Sequence, residues 1–396
     1  MMKSVTIVGI GMGLGTTTRE GFSAIEHAEA LFGAPRMLEP FAFLSKPGAA
    51  IFTPDEISSF IMQSEFTRFA VLVSGDPGFF SAAEALTRLL PNCDVTLLPG
   101  ISSVSCFFAR IKHPWQDAAL ISCHGRDANL VDTVRRNRLT FALTGGNLPA
   151  LAGRLIDKGY GDLQATIGEN LGSTNEQIRT MAVADLPAQV FGALSVLFVE
   201  NPDFDARVRS GLPDDLFLRG NIPMTKSEVR ALSLSRLALR PDAVCYDIGC
   251  GTGSVSVEMA LAAYAGHMYA IDHKEEAIRL TEENARRFHL GNLTTVCGSA
   301  PEALGSLPPP DAVFIGGSGG QMQEIFQAIV AKNPAVRVVV NAVALESVSA
   351  ALSAFRAYHI EPEVVQLSVA RANAVGDLHM MSAQNPIFVL SGGGHG

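Results

Sequence analysis

The chain has 396 residues, which at about 150 residues per domain predicts two or three domains. Thirty basic side chains against 39 acidic ones give a formal charge of −9, so nucleic acid is a poor general partner for this surface. Hydrophobic residues make up 47% of the chain and charged residues only 17%, which excludes a disordered protein and predicts large buried cores.

The six cysteines are scattered and form no Cys-x-x-Cys pair, so we expect reduced thiols, no metal centre and a cytoplasmic location. An apolar run follows Lys3, but its alternate glycines from Gly9 to Gly15 favour a strand and a tight loop over a signal peptide. No run reaches the roughly 18 consecutive apolar residues of a membrane helix. The sequence therefore predicts a protein without a membrane partner.

Short apolar runs alternate with helix-length amphipathic segments in the first half, which is the pattern of an α/β fold. The predicted strands cover residues 4–9, 69–73, 94–98, 118–123, 139–144, 163–167 and 193–199. Turn formers and charges concentrate between Asn201 and Pro223, and a weaker break surrounds Pro114. We expect a first domain over residues 1–205, with lobes of about 1–112 and 113–205, and a second domain over residues 206–396.

The second half gives clearer signals. Thr225-Lys226-Ser227-Glu228 matches a capping box and predicts that a helix begins there. Seven predicted strands follow, at residues 244–248, 267–271, 293–296, 312–315, 336–341, 363–370 and 386–390. The first five alternate with helical segments, whereas a loop without a convincing helix joins the last two. This ending predicts a parallel sheet finished by an antiparallel hairpin.

A glycine-rich motif, Asp247-Ile248-Gly249-Cys250-Gly251-Thr252-Gly253, lies where a predicted strand ends and a helix begins. Glycines there let the backbone approach a ligand closely, and a helix amino terminus favours a polar or anionic group. Asp272 ends the next strand, where a carboxylate can accept both hydroxyls of a ribose. The sequence thus predicts a nucleoside site, the alternative being a glycine turn that only packs a strand on a helix. The spacing resembles class I S-adenosylmethionine-dependent methyltransferases more than the dinucleotide pattern Gly-x-Gly-x-x-Gly.

Two further loops fit that methyltransferase fold. Gly298-Ser299-Ala300-Pro301 follows the third strand, where this class often presents an acidic residue to the adenine amine, and Ser299 stands at that place. The glycine-rich residues 311–320 close the fourth strand and should form the floor of the transfer site, with a flexible loop as the alternative.

Glycine clusters also follow the predicted strands of the first half, at residues 8–13, 74–80, 98–103, 124–126 and 143–146. The carboxyl edge of a sheet is where α/β proteins bind ligands. In combination and order these clusters resemble the tetrapyrrole methylases, whose fold holds S-adenosylmethionine between two α/β lobes. The resemblance covers residues 3–200, and Met12 departs from the proline that is usual in that family.

Two more stretches extend the resemblance. Gly168-Glu169-Asn170-Leu171-Gly172 is similar to the members that methylate late corrin precursors, and residues 224–230 with 314–317 are similar to the partner enzyme of the same step. The fused chain thus resembles the two-module precorrin methyltransferases of cobalamin biosynthesis. This resemblance implies methylation of carbons 5 and 15 of the macrocycle and loss of carbon dioxide from the ring C acetate. The fusion favours the metal-free precorrin, with cobalt-precorrin of the anaerobic pathway as the alternative substrate.

The same resemblance implies one S-adenosylmethionine per module and a homo-oligomer, since the family's second module forms tetramers. It assigns carbon 5 to the first module, and carbon 15 with the decarboxylation to the second. The cofactor contacts that it implies in the first module are Gly11, Ser74, Gly75, Asp76, Phe79, Ser102, Ser103 and Thr144. Those that it implies in the second module are Asp247, Gly249, Gly251, Thr252, Gly253, Asp272, Ser299 and Ala300.

A precorrin carries many carboxylates whereas this chain is acidic, so we expect a local basic rim. Lys226 and Arg230, one helical turn apart, are the first candidates for substrate binding at the second site, with solvated surface charge as the alternative. Arg126 beside His124 is a candidate for the first site, and His124 is also a candidate proton donor. Positioning should supply most of the rate, so no nucleophilic triad and no metal are expected.

Two other functions stay open, and a third is disfavoured. An RNA methyltransferase would keep the motifs of the second module but should show a basic stripe, which the charge of −9 does not favour. In a scaffold, one module would only present substrate to the other. A nicotinamide dehydrogenase would need Gly-x-Gly-x-x-Gly directly after a strand, which this sequence does not offer.

Overall fold

The computed structural model describes residues 2–124, 128–207 and 209–394, which form two compact units. The first unit comprises Met1–Ala128, Asn137–Gly153 and Asp162–Pro202. The second unit comprises Asn129–Arg136, Arg154–Gly161 and Asp203–Gly396. Two short segments of the amino-terminal half therefore group with the second unit, which the sequence analysis did not anticipate.

The first unit begins with a five-stranded parallel sheet. Its strands are β1 (Ser4–Gly9), β2 (Ala30–Phe32), β3 (Gly48–Ala49), β4 (Arg68–Val73) and β5 (Asp94–Leu98). The helices of this part are α1 (Arg19–His27), α2 (Pro35–Leu38), α3 (Pro54–Gln63), α4 (Ala83–Leu89) and α5 (Ser103–Ile111). The strand order is β3-β2-β4-β1-β5, so β4 and β5 flank β1. The loops after these three strands consequently leave the sheet at the same edge.

Helices cover both faces of this sheet, which explains the continuous apolar sequence of β4. Successive side chains of a strand point to opposite faces. Phe69 and Val71 therefore enter one core, where they pack with residues of α3 and α4. Ala70 and Leu72 enter a second core on the other face, together with residues of α1.

The second sheet of this unit mixes parallel and antiparallel pairs. Its strands are β6 (Ala119–Ser122), β7 (Leu139–Leu143), β8 (Gln164–Glu169), β9 (Gln177–Ala182) and β10 (Ser195–Glu200), in the order β6-β7-β10-β8-β9. In the chain, α6 (Leu130–Arg136) and α7 (Leu148–Asp157) follow β6 and β7. Phe107 and Phe108 of α5 pack on Phe141 and Phe198 of this sheet. Since α5 directly follows β5, it joins the two lobes of the first unit.

The second unit contains a seven-stranded sheet and a separate hairpin. Its helices are α8 (Ser227–Leu237), α9 (Ser254–Ala262), α10 (Glu275–Arg287), α11 (Met322–Lys332) and α12 (Leu345–Ala357). Its sheet strands are β11 (Val244–Ile248), β12 (His267–Asp272), β13 (Leu293–Cys297), β14 (Ala312–Ile315), β15 (Arg337–Ala342), β16 (Glu363–Leu367) and β19 (Ile387–Gly393). The hairpin consists of β17 (Ala370–Val375) and β18 (Leu378–Ala383).

The order of the large sheet is β13-β12-β11-β14-β15-β19-β16. The pairs from β13 to β15 are parallel, and β19 is antiparallel to both β15 and β16. The chain first builds outward from β11 through β12 to β13 and then returns to place β14 on the other side of β11. This reversal is a topological switch point, where open α/β sheets bind ligands.

The predicted α/β class, with two amino-terminal lobes and a seven-stranded carboxyl-terminal sheet, is confirmed, and so is the antiparallel ending. Prediction missed β2, β3, β9 and the hairpin of β17 and β18. The capping-box prediction was wrong by one residue, because the N-cap of α8 is Lys226, whose side chain makes no capping hydrogen bond.

All six cysteines are free thiols. Within the part of the chain that the structure describes, no helix has the length and apolar character needed to cross a membrane. Over the same residues, no group of three or more His, Cys, Asp or Glu side chains is arranged to hold a metal ion.

Candidate functional site

A tight loop with three glycines connects β11 to α9. Gly249, Gly251 and Gly253 have φ angles of 75°, 56° and 73°, a region that L side chains rarely adopt. A Cβ atom on Gly249 would lie 2.8 Å from the backbone nitrogen of Gly317, in the loop after β14. On Gly253 it would lie 2.7 Å from the side chain of Thr281 in α10. The glycines are therefore required by the close packing of this loop against two neighbouring elements.

Asp272, at the end of β12, is hydrogen-bonded to this loop. Its Oδ2 accepts the N–H of Gly251 at 3.0 Å, and its Oδ1 accepts the N–H of Lys274 at 3.0 Å. Each carboxylate oxygen keeps capacity for a further donor. The backbone carbonyl of Asp272 accepts the N–H of Gly298 at 2.9 Å. The loop that carries Ser299 and Ala300 therefore begins beside Asp272.

Asp247 lies in β11 next to the glycine loop and is fully buried. Its Oδ2 accepts a hydrogen bond from the hydroxyl of Ser256, whereas its Oδ1 meets no donor among the described residues. The buried hydroxyl of Thr252 likewise has no partner among these residues. Burial raises the pKa of Asp247 to about 7, and the nearby charge of Asp272 adds to this rise. Buried polar groups are normally paired, so these two atoms leave hydrogen-bonding capacity unused beside the glycine loop.

In the first unit, three loops meet at the carboxyl edge of the first sheet. Gly11 and Gly75 exchange backbone hydrogen bonds at 3.1 Å and 2.8 Å. A Cβ atom on Gly9 would lie 2.7 Å from the nitrogen of Gly100 and 2.7 Å from the carbonyl oxygen of Gly75. The backbones after β1, β4 and β5 are thus in direct contact, which the glycines at this edge permit.

Asp76 fixes two of these loops. Its Oδ1 accepts the N–H of Gly78 at 2.8 Å, and its Oδ2 accepts the N–H of Gly100 at 3.1 Å. Asp76 therefore connects the loop after β4 to the loop after β5. Its place in the sequence suggested a cofactor contact, and its observed bonds give it a role in loop geometry.

The serines of the predicted first site lie at the same edge. Ser102 is the N-cap of α5, and its hydroxyl accepts the N–H of Ser105 at 3.2 Å. Ser103 is the first residue of that helix. A Cβ atom on Gly75 would lie 3.6 Å from the Cα of Ser102, so Gly75, which follows half-buried Ser74 in the chain, lies beside the start of α5.

The second lobe contributes Thr144, directly after β7. Its buried hydroxyl donates to the carbonyl of Ser195 at 2.8 Å. A Cβ atom on the following Gly145 would lie 2.9 Å from Nδ1 of His124, so exposed His124 lies beside this loop. Arg126, the predicted partner of His124, lies outside the described residues.

Phe79 and Met12 connect the first lobe to the second. The ring centroid of Phe79 lies 6.5 Å from that of Phe141 in β7. A Cβ atom on Gly172 would lie 2.5 Å from the Cβ of Met12, so the loop after β1 packs on the turn after β8. The loops after β1 and β4 therefore both contact the second lobe, and a cofactor site that also includes Thr144 stays a prediction.

Two family models match the chain, one in each half. The model of tetrapyrrole (corrin/porphyrin) methylases matches residues 4–187, and the model of the precorrin methyltransferase domain matches residues 215–392. The precorrin-6Y C(5,15)-methyltransferase (decarboxylating) of Sinorhizobium sp is 34% identical over 386 residues, which cover 94% of this chain and 92% of that protein. The chain belongs to this family of precorrin-6Y methyltransferases.

Shorter relatives of this methyltransferase match about half of it. The probable cobalt-precorrin-6B C(15)-methyltransferase (decarboxylating) of Pyrobaculum calidifontis is 43% identical over 184 residues, covering 46% of this chain and 94% of that protein. A solved structure of precorrin-6Y C5,15-methyltransferase from Geobacter metallireducens is 34% identical, covers 46% of this chain and 98% of that one, and has a TM-score of 0.45. Methyltransferases of the tetrapyrrole methylase family use S-adenosylmethionine.

The prediction that Arg230 of this methyltransferase binds substrate carboxylates is wrong. Its side chain is completely buried, and its Nε donates to the buried carboxylate of Glu258 at 2.7 Å. Its Nη1 donates to Asp214 at 2.9 Å and to the carbonyl of Thr225, and its Nη2 donates to the carbonyl of Leu212. The i, i+4 spacing placed Arg230 correctly on the helix but could not show that this face points inward.

Lys226 is half-buried, and its Nζ lies 3.8 Å from Asp214 Oδ2, which is an ion-pair distance without a hydrogen bond. Sequence reasoning missed Arg371 of β17, which bonds to the same helix end. Arg371 donates to the carboxylate of Glu228 at 3.0 Å and 2.7 Å and to the hydroxyl of Ser227 at 2.9 Å. This pairing lowers the pKa of Glu228 to about 2. The residues are 143 positions apart, so no local pattern could reveal the contact.

Proposed function

We propose that this chain methylates precorrin-6B (precorrin-6Y) at carbons 5 and 15 with S-adenosylmethionine and decarboxylates the acetate of ring C. The product would be precorrin-8X of cobalamin biosynthesis. The observation that carries this proposal is the 34% identity, over 94% of the chain, to a relative named for a C(5,15)-methylation with decarboxylation. Two separate glycine-lined loops, one in each unit, support two methyl transfers by one chain.

The second module fits S-adenosylmethionine. That cofactor carries a sulfonium, an ammonium and a ribose diol, and it supplies an electrophilic methyl group. The unpaired Oδ1 of Asp247 fits a cationic donor, and the unpaired hydroxyl of Thr252 fits a polar partner. Asp272, with capacity left on both carboxylate oxygens, would accept the ribose hydroxyls. The glycines would bring backbone to the ligand, and Ser299 and Ala300 would line its adenine side.

The first module would hold a second molecule of the cofactor between its lobes. Gly11, Ser74 and Gly75 would form the side of the site that belongs to the first lobe. The start of α5, with Ser102 and Ser103, would offer N–H groups and hydroxyls to the cofactor. Thr144 would bound the same space from the second lobe, and Phe79, which packs on Phe141 of that lobe, would bound it from the first. The paired hydrogen bonds between Gly11 and Gly75 support this placement, because they hold the loops after β1 and β4 together at this edge of the sheet.

We assign carbon 5 to the first module, and carbon 15 with the decarboxylation to the second. A relative that covers 46% of this chain is itself named for C(15)-methylation with decarboxylation, which supports a division by module. In each transfer the macrocycle carbon attacks the sulfonium methyl in line, so a carbon–carbon bond forms as the carbon–sulfur bond breaks. Holding both partners in that geometry can remove about 7–11 kcal/mol of barrier. In the decarboxylation the carbon–carbon bond to the carboxylate breaks, carbon dioxide leaves, its bonding electron pair passes into the conjugated macrocycle, and the exocyclic carbon then takes up a proton from water to become a methyl group.

Substrate carboxylates need local cations, and Lys226 is our candidate at the second module. Its ammonium is loosely held at 3.8 Å from Asp214, so a substrate carboxylate can share it. At the first module, His124 is the candidate for substrate binding or proton transfer, because it is exposed beside the loop of Thr144 and Gly145.

We also propose that the chain forms a homo-oligomer through its carboxyl-terminal module, and that a tetramer is one form of this oligomer. The hairpin of β17 and β18 supports this proposal, because it exposes apolar side chains that a partner copy would cover. They are Val375, Leu378, Met380 and Met381. Light scattering on the full chain tests it, and a monomer at micromolar concentration would contradict it.

The function is tested by mass spectrometry of the product from the purified chain. Metal-free precorrin-6B is supplied with S-adenosylmethionine that carries a heavy methyl label. A product with two labelled methyl groups and one carbon dioxide lost is expected. If the chain converts only the cobalt-containing substrate, it acts in the anaerobic pathway. One labelled methyl would support a silent scaffold module, and no turnover of either substrate would contradict the proposal.

A further inference from the structure

A segment of the second unit crosses the glycine loop without forming a strand or an α-helix. We call residues 211–223 the strap. A short helical turn, Asp214–Leu216, lies near its start, and residues 218–221 are largely exposed. At its far end, a Cβ atom on Gly251 would lie 3.3 Å from the carbonyl oxygen of Pro223 and 3.4 Å from Cγ2 of Ile222. The strap therefore lies directly against the middle of the glycine loop.

The beginning of the strap is fixed by a buried ion pair. Glu258 of α9 accepts the N–H groups of Gly211 and Leu212 at 2.7 Å and 2.9 Å. Arg230 pairs with Glu258 and donates to the carbonyl of Leu212. The Arg230 guanidinium also lies 4.7 Å from the ring centroid of Phe217. This end of the strap is thus held rigidly on α8 and α9.

The middle of the strap is held by Asn284 of α10, a fully buried residue. Its Oδ1 accepts the N–H of Leu218 at 2.8 Å, and its Nδ2 donates to the carbonyl of Leu218 at 2.8 Å. The same Nδ2 donates to the carbonyl of Thr252 at 2.8 Å. One side-chain amide therefore bonds to the strap and to the glycine loop at once. The arrangement uses both amide donors and the carbonyl oxygen, so a carboxylate in the same place would lose two bonds.

Resting on the proposed function of the second module, we propose that the strap closes its cofactor site and that Asn284 is the positioning residue that couples strap and loop. Asn284 fixes the backbone of Thr252, whose buried hydroxyl has no partner among the described residues. The neighbouring Gly251 is held by Asp272 on one side and by the strap on the other. Releasing the amide would therefore loosen the loop that carries the cofactor contacts, without removing any group that touches the cofactor.

The test uses the full chain with Asn284→Asp, which keeps the shape of the side chain and removes both donors. Calorimetric titration with S-adenosylhomocysteine should show two sites per wild-type chain. In the variant one site should keep its affinity, whereas the other should weaken about tenfold or more, since two hydrogen bonds to carbonyls are lost. The KM for S-adenosylmethionine in the methyl transfer of the second module should rise by a similar factor.

Asn292→Asp is the matched control. Asn292 is also buried, and its Nδ2 donates to the carbonyls of Ala260 and Ala263 at 3.0 Å and 2.8 Å, at the other end of α9. Asn292→Asp should lower the midpoint of unfolding by about as much as Asn284→Asp does. It should leave the affinities of both S-adenosylhomocysteine sites unchanged. Equal affinities in Asn284→Asp and the wild type, or equal losses in the two variants, would overturn the role of Asn284. A wild-type chain with no second site would instead contradict the proposed function.

A second measurement needs no variant. Arg219 lies in the exposed part of the strap, so trypsin can cleave after it. Saturating S-adenosylhomocysteine should slow cleavage at Arg219 at least severalfold, because a bound ligand orders the loop to which the strap is bonded. The cleavage rate at Arg219 without ligand provides the reference. An unchanged rate at Arg219 with saturating ligand would show that the strap does not close with the ligand.

Discussion

The backbone N–H of Gly251 donates to the carboxylate of Asp272 at 3.0 Å, so the end of β12 and the centre of the glycine loop are one hydrogen-bonded unit. The carboxylate thus orders the loop and keeps acceptor capacity for a ligand hydroxyl. The two roles meet in one side chain because β11 and β12 are adjacent and parallel.

Asp272→Ala should remove both roles. We expect the affinity of the second module for S-adenosylhomocysteine to fall about a hundredfold, since hydrogen bonds to a charged group contribute about 1.5–3 kcal/mol each. Titration calorimetry measures this loss. Asp242→Ala is the control, because Asp242 is exposed and pairs with exposed Arg240. An Asp272 variant that binds as well as this control would remove Asp272 from the site.

The pKa of about 7 at Asp247 predicts a pH-dependent second site. The protonated acid below that pH is neutral, whereas the ionised form attracts a cationic ligand, so affinity should rise from pH 5.5 to 7.5 and then level. Protons should be released on binding at pH 6.5, which calorimetry in two buffers of different ionisation enthalpy measures. Asp247→Asn should bind with a flat pH profile. A wild-type profile without slope would contradict the involvement of Asp247.

The same pKa has a consequence for stability. Because the folded protein holds the Asp247 proton more tightly than the unfolded chain, the unliganded protein gains stability from this group at low pH. That contribution is complete below about pH 4 and is lost as the pH rises through about 7. The difference in unfolding free energy between Asp247→Asn and the wild type, measured with urea, should therefore change between about pH 4 and pH 7 and stay constant above pH 7. A constant difference between pH 5 and pH 8 would speak against the raised pKa.

Gly100 should be irreplaceable in the first module. A Cβ atom there would overlap the carbonyl oxygens of Gly75 and Gly9, so Gly100→Ala forces apart the loops after β1, β4 and β5. We expect loss of the first cofactor site, with the second site retained. Gly153→Ala is the matched control, since Gly153 lies in α7 with open space around it, and alanine there should add roughly 0.5–1 kcal/mol of stability. Normal binding at both sites in Gly100→Ala would refute this geometry.

Arg230 and Lys226 should respond differently to replacement. Arg230→Met leaves the buried carboxylate of Glu258 without its partner, which typically costs about 3–5 kcal/mol of stability. Lys226→Met removes a half-exposed, loose ion pair and should cost at most about 1 kcal/mol. The Lys226 variant should instead raise the KM for the precorrin. Denaturant unfolding and steady-state kinetics separate the two effects, and a stable Arg230→Met with a raised KM would reverse these assignments.

The sequence predicted those parts of the site that depend on neighbours in the chain. The glycine loop and Asp272 each follow a buried strand, so a local pattern places both at one sheet edge. The strands that the sequence did not predict are short or exposed. For example, β3 has only two residues, and β9 has a polar, exposed face. Such strands form because neighbouring strands supply their partners, and single-sequence patterns do not carry that information.

Contacts between distant residues were the other limit. Asn284 bonds to Leu218 over a separation of 66 residues, and Arg371 bonds to Glu228 over 143. The spacing of residues along a helix likewise does not determine which face of the helix points to the core. Arg230 was therefore expected at the surface, whereas it lies in the core. Burial depends on what packs against a helix, and that is known only from the fold.

The most direct measurement counts the labelled methyl groups in the product of the wild type and of two single-module variants. The wild type should add two labelled methyl groups and release one carbon dioxide. Gly100→Ala and Asp272→Ala should each add at most one, with decarboxylation lost in Asp272→Ala. Retention of both methyl groups in either variant, or a wild type that adds only one, would contradict two independent transfer sites in one chain.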